Sequence, residues 1–259
     1  MAPSEYVTQE APARHAAQGR PSPDRPAPSR PVIDKLIVAL DFPGALQALA
    51  LVDRLEGQCR WFKVGLELYL ATGNSVVKTL KNRGFSVFLD LKLHDIPNTV
   101  AGAVRSAASL GVDMATVHAS GGPVMLAAAA EAVAGLTKLP RLLAVTVLTS
   151  MDAAQLAATG ISASPAEQAL RLAQIAAASG INGLVCSPEE APQMRQALPG
   201  STLVTPGIRP AGSAIGDQKR IATPAAALAA GADYLVVGRP ITQASDPLAS
   251  AHSILREMA

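Results

Sequence analysis

The stretch Phe88-Leu89-Asp90-Leu91-Lys92-Leu93-His94-Asp95-Ile96-Pro97-Asn98-Thr99 is an apolar run that ends in charges. Read as an extended strand, it places Asp90 and Lys92 on one side, their Cα atoms roughly 7 Å apart, and Leu89, Leu91 and Leu93 on the other. Desolvating an acid and a base costs free energy unless they pair, and even a buried pair rarely outperforms a hydrophobic filling of the same volume. Stability is therefore a poor reason for this pattern, and a site that handles protons or charge is a better one.

A helical segment, Val100 to Leu110, follows this strand, and the same strand-then-helix unit recurs in both directions. The short apolar or β-branched runs are Leu36 to Leu40, Trp61 to Val64, Ser86 to Leu91, Met114 to His118, Leu142 to Leu148, Gly183 to Cys186, Thr202 to Thr205 and Tyr234 to Val237. Between and after them lie Ala/Leu-rich segments: Ala45 to Leu55, Val76 to Arg83, Val100 to Leu110, Val124 to Leu136, Ala166 to Ser179, Pro188 to Leu198, Pro224 to Ala230 and Pro247 to Met258. Several open with Pro at the first helical position or after a capping residue. Eight units of roughly 28 residues predict a TIM (β/α)8 barrel, a parallel sheet closed on itself inside a ring of helices. A doubly wound open sheet is the rival. It lacks support, because no Gly-x-Gly-x-x-Gly turn follows the first strand.

The rest of the chain is consistent with one such domain over residues 32–259. Residues 1–31 are Pro/Ala-rich, with Pro21, Pro23, Pro26, Pro28 and Pro31 closely spaced, and read as a disordered tail. Arg14, Arg20, Arg25 and Arg30 give this tail some likeness to a targeting peptide, but Glu5, Glu10 and Asp24 and the lack of an amphipathic stripe argue against that. Of the 259 residues, 49% are hydrophobic, which is enough for a large core. A net charge of +2 and 3% aromatic residues offer neither a basic patch nor stacking platforms, so nucleic acid is not an expected partner. Cys59 and Cys186 have neither disulfide-framework nor zinc-site spacing, which points to a reducing cytoplasm. No apolar segment reaches the roughly 20 residues that span a bilayer, and none follows the first methionine as a signal peptide requires; neither membrane insertion nor secretion is expected.

In a barrel of this kind chemistry belongs at the carboxyl ends of the strands. Those positions hold Asp41 after the first strand, Lys63 in the second, and Asp90 and Lys92 in the third, with Asp95 just beyond. Singly, Asp41 or Lys63 reads equally well as a cap or surface pair; together they form an alternating acid–base cluster at one mouth. The loops after strands seven and eight, Pro206-Gly207-Ile208-Arg209-Pro210 and Gly238-Arg239-Pro240, occupy the usual phosphate position of the fold. Arg209 and Arg239 can each present a two-pronged fork to phosphate oxygens, and Gly238 permits close backbone approach. Thr149 and Ser150 can hydrogen-bond a ring, although Ser150 has no nearby base that would make it a nucleophile. His94 reads as an orienting or structural group, His118 reads either as a group lining the site or as a structural histidine, and no cluster has metal-ligand spacing.

The segment Asp90 to Thr99 closely resembles the signature of the orotidine 5′-phosphate decarboxylase family in its shorter bacterial form. Ala39-Leu40-Asp41, Phe62-Lys63-Val64-Gly65, Leu148-Thr149-Ser150, Thr205-Pro206-Gly207-Ile208-Arg209 and Val237-Gly238-Arg239 look like the same family, in order, from about Ile33 to the end. The resemblance implies decarboxylation of orotidine 5′-phosphate to uridine 5′-phosphate, a step of pyrimidine biosynthesis, in the cytoplasm and without metal or organic cofactor. It implies that Lys92 donates the proton, that Asp90 sits beside the departing carboxylate, and that Lys63 and Asp95 complete a Lys–Asp–Lys–Asp chain. Asp95 and Thr99 are expected to enter the site of a partner subunit in a homodimer. Asp41 resembles the ribose-binding aspartate, Thr149 the pyrimidine contact, and Arg209, Gln218, Gly238 and Arg239 the phosphate ligands. Two alternatives remain: a magnesium-dependent sugar-phosphate decarboxylase or aldolase of the same barrel superfamily, and a barrel that only binds a phosphorylated ligand. The run Ile96-Pro97-Asn98-Thr99, the Thr149-Ser150 pair and the intact set of four charges weigh against them.

Overall fold

Eight strands form in the order in which the chain supplies them: β1 (Leu36–Ala39), β2 (Trp61–Gly65), β3 (Ser86–Leu93), β4 (Met114–His118), β5 (Arg141–Val145), β6 (Gly183–Val185), β7 (Thr202–Thr205) and β8 (Tyr234–Val237). This computed structural model describes residues 31–210 and 220–259, so Gln218 and the tail expectation, Pro31 apart, lie outside the described residues. Each strand pairs in parallel with the next, and β1 pairs with β8 through Leu36↔Leu235, Ile37↔Val236 and Val38↔Val237, which closes the barrel. The TIM-barrel expectation is met.

Eight helices lie close to the expected segments: Ala45–Arg54, Asn74–Asn82, Pro97–Ser109, Gly122–Glu131, Pro165–Ala178, Ala191–Ala197, Pro224–Ala229 and Pro247–Glu257. Their starts follow from side-chain chemistry. Pro165 occupies the first turn, where its missing N–H is no loss, while Ser164 and Glu167 form a reciprocal capping box. Three further helices, Leu66–Thr72, Ala153–Ala158 and Arg239–Thr242, were not expected. They span two turns or fewer, too little for an apolar period of 3.6 to show.

The strands are apolar because the barrel buries both of their faces. Outward, Val38, Val64, Leu89, Val117, Leu203 and Leu235 pack against helix residues such as Leu51, Leu80, Val104, Leu126, Leu172 and Ile254. Each such side chain contributes about 1.5–3 kcal/mol on full burial. Inward, Ile37, Phe88, Met114, Leu143, Val204, Tyr234 and Val236 fill the lumen, and the Trp61 and Tyr234 rings meet edge to face at 5.4 Å. One step further along the strands the inward positions turn polar: Lys63 follows Trp61, Asp90 follows Phe88, and Thr116 follows Met114, each by two residues.

Two strands depart from the expected runs. β5 stops at Val145 instead of reaching Leu148, because the carbonyls of Val147 and Leu148 accept hydrogen bonds from the Arg220 guanidinium. β3 extends to Leu93, but its pairing with β4 slips between Leu89↔Ala115 and Leu93↔Val117. Lys92 sits in this irregularity at φ 50°, the one non-glycine residue with positive φ among the described residues. The regular alternation assumed for Asp90 and Lys92 is therefore corrected: they share a side through a local distortion of the strand, not through an even pleat.

Candidate active site

At the mouth formed by the carboxyl strand ends, four charges alternate. The Lys63 ammonium lies 2.8 Å from Asp41 Oδ1 and 3.8 Å from Asp90 Oδ2, and the Lys92 ammonium lies 2.9 Å from that same Asp90 oxygen. Lys63 is only 8% exposed, so its charge is sheltered from water and compensated by two carboxylates. Gly65 makes room for this pair. A Cβ there would stand 2.9 Å from Lys63 Nζ, so that the ammonium would have to shift, and a tight 3.2 Å from Asp41 Oδ1.

Lys92 owes its position to Thr116, which the sequence reading missed. The Lys92 N–H donates to Thr116 Oγ1 at 2.8 Å, and the Thr116 hydroxyl donates to Asp90 Oδ1 at 3.0 Å. One buried hydroxyl thus holds both the distorted backbone and the carboxylate. A left-handed non-glycine residue costs about 1–3 kcal/mol and persists only where its surroundings impose it, typically at functional sites. The available signal was a threonine at an inward position of the apolar run Met114 to His118.

These groups open into a cavity of about 290 Å³ bounded also by Leu148, Thr149, Ser150, Pro206, Gly207, Arg209, Gly238 and Arg239. Gly207 adopts φ 79°, which glycine accepts without strain, and this turn presents Arg209 to the cavity. The Arg209 N–H donates to Ala222 O at 2.9 Å, and Nη1 donates to Ile208 O at 2.8 Å, so the loop after β7 is fixed at its base. The cavity is anionic and cationic by turns at one end and cationic at the other. Two larger clefts of about 460 Å³ lie elsewhere, one behind β3 among Leu89, Leu91 and Leu93, the other at the amino ends of β5 to β7. Neither combines acids and bases in this way.

Asp41, Lys63, Asp90, Lys92, Thr149, Arg209, Gly238 and Arg239 are thus brought together. Asp95 and Thr99 are not. Both are exposed and outside the cavity, and Asp95 Oδ1 accepts the N–H of Ile96 at 2.6 Å. The His94 and His118 rings stack at 5.4 Å beside β3 and β4, and His118 Nδ1 meets Ser120 Oγ at 2.7 Å. Burial first, then the nearby His94 and Lys92, hold the His118 imidazole below its ordinary range. Neither ring lines the cavity.

Comparison with known proteins identifies the family of the chain. Residues 34–254 fit the model of the family described as orotidine 5′-phosphate decarboxylase / HUMPS family. The orotidine 5′-phosphate decarboxylase of Halorhodospira halophila is 58% identical over 226 residues, covering 87% of this chain and 96% of that protein. That of Pseudomonas aeruginosa is 54% identical over 224 residues, covering 86% of this chain and 97% of that protein. The crystal structure of orotidine 5′-phosphate decarboxylase from Lactobacillus acidophilus superposes with a TM-score of 0.76 at 39% identity, covering 87% of this chain and 99% of that chain. With a family model spanning the whole barrel and relatives sharing over half of their residues across nearly their full length, the chain belongs to the orotidine 5′-phosphate decarboxylase / HUMPS family.

Proposed function

We propose that this chain converts orotidine 5′-phosphate to uridine 5′-phosphate and carbon dioxide without metal or organic cofactor. The observation that carries the reading is Asp90 held between the Lys63 and Lys92 ammonium groups in a cavity whose far end presents Arg209 and Arg239. The phosphate is bound by Arg209, Gly238 and Arg239, with Gln218 contributing; Asp41 takes the ribose, and Thr149 the pyrimidine. The substrate carboxylate then lies against Asp90.

Breaking the ring–carboxyl bond releases carbon dioxide and leaves an electron pair in the ring plane, where it cannot spread into the π system. A fixed ammonium compensates that localised charge and supplies the proton: the Lys92 N–H bond breaks, a C–H bond forms, and the neutral amine is recharged from solvent. Placing a preorganised charge where the transition state develops charge contributes on the order of 10²–10³ in rate, and proton transfer by a positioned acid a further 10²–10⁴. Asp90 holds Lys92 in place and opposes the bound carboxylate. Binding energy at the phosphate end is available to orient the ring and exclude water.

The active form is proposed to be a cytoplasmic homodimer in which Asp95 and Thr99 enter the partner's site. Support comes from their exposure outside the chain's own cavity, and from exposed Leu66, Leu70, Ile96 and Val124 in the segments that follow β2, β3 and β4. Mixing Lys92→Ala and Asp95→Ala chains then restores part of the activity; a mixture as inactive as its components contradicts shared sites. For the reaction itself, an ultraviolet assay with chelator present is expected to show turnover of orotidine 5′-phosphate. No turnover in chelator, with magnesium-restored activity on a sugar phosphate, would overturn the reading.

A further inference from the structure

The loop after β5, which carries Thr149 and Ser150, is joined to the loop after β7, which carries Gly207 and Arg209 at its start, through a residue near the latter's end. Arg220 is 8% exposed, and its Nη2 donates to the carbonyls of Val147 at 3.2 Å and Leu148 at 2.8 Å, the two residues just before Thr149. Its Nη1 donates to the carboxylate of Glu190 and, at 3.4 Å, to Ser187 Oγ. Glu190 is 2% exposed and accepts the Ser187 N–H at 2.9 Å, so it is fixed in the segment after β6. Two residues beyond Arg220, the backbone of Ala222 accepts from Arg209 N–H at 2.9 Å and donates to Gly207 O at 3.3 Å.

A buried ion pair is a weak device for stability, since apolar groups of equal volume serve as well. A guanidinium has a use here that an apolar group lacks, because its planar fork reaches two carbonyls on one side and a carboxylate on the other. We infer that Arg220 is a positioning residue, with Glu190 as its support, that sets the spacing between the ring-contacting and phosphate-holding walls of the cavity. The inference rests on the proposed pocket assignment. Its physical content is that phosphate binding energy reaches the ring only if the two walls keep their distance, and a displacement of about 1 Å can cost on the order of 100-fold in rate.

The test compares wild type with Arg220→Lys and Glu190→Gln, measuring kcat and KM for orotidine 5′-phosphate and competitive inhibition by uridine 5′-phosphate and by inorganic phosphate. Arg220→Lys keeps the charge and loses the fork; Glu190→Gln keeps the shape and loses the charge, so an outcome from either decides should the other fail to fold. In folded variants, kcat is expected to fall roughly 10- to 100-fold. Inhibition by inorganic phosphate should stay within about twofold, while uridine 5′-phosphate loses much of its advantage over it. Unchanged kcat, or an equal weakening of both inhibitors, overturns the positioning role. A wild type inactive on orotidine 5′-phosphate would instead overturn the pocket assignment itself, which separates the two failures.

Discussion

The backbone N–H of Lys92 donates to the hydroxyl of Thr116 at 2.8 Å, at the point where the β3–β4 register slips. The left-handed backbone of Lys92 and the orientation of Asp90 both depend on that hydroxyl. Thr116→Val keeps the shape and removes the hydrogen bonds. It leaves a buried N–H unpaired, at a cost of about 1–3 kcal/mol. We expect a lower denaturant midpoint and a loss of kcat larger than any change in KM. Wild-type kcat in this variant would show that the hydroxyl does not hold Lys92 in a position that turnover needs.

Gly65→Ala tests the packing of Lys63 against Asp41. The added methyl would lie 2.9 Å from Lys63 Nζ, so the ammonium must move. The shift needed is a fraction of an ångström, less than the roughly 1 Å that can cost about 100-fold, so kcat/KM is expected to fall severalfold, up to about 10-fold. Steady-state kinetics at matched folded fraction checks this, and a change below twofold would count against the close fit.

The His118 ring gives a pH dependence of defined sign. Its pKa is lowered from 6.5 by burial, then by His94 and Lys92, so the folded state resists a proton that the unfolded chain accepts. The associated stability is fully present above 6.5 and is lost as pH falls from there toward the lower folded value. His118→Gln should flatten the decline in unfolding free energy as pH falls below 6.5. Equal slopes for wild type and variant would show that His118 is not its source.

Burial pushes both thiols, Cys59 and Cys186, up to about 12. Neither should react appreciably with iodoacetamide in the native protein at pH 8, and both should react after unfolding. Mass spectrometry of the alkylated chain reads this directly; rapid native labelling of either residue would contradict the packing around it.

The barrel was legible because strands buried on both faces read as apolar runs, and longer helices show their period between them. The charged residues were legible for the opposite reason: Lys63, Asp90 and Lys92 break those runs where packing alone supplies no motive for them. What escaped the sequence depends on long-range contact. The slip in β3 arises from a hydroxyl on β4, and the early end of β5 from Arg220, 72 residues beyond Leu148. Asp95 sits three residues from Lys92, and nothing in that spacing alone shows that it lies outside the cavity that Lys92 lines; the family resemblance suggested it, and the fold places it there. Arg220 and Glu190 gave no local sign, being ordinary charges in loop sequence until burial brings them together.

The central claim is that the Lys92 ammonium supplies the proton to the ring carbanion. Its most direct test is turnover of orotidine 5′-phosphate by Lys92→Ala, followed by ultraviolet absorbance, beside a thermal unfolding curve that matches wild type. The account predicts a loss of roughly 10⁴-fold or more with the fold intact. Turnover within tenfold of wild type in that folded variant would contradict it.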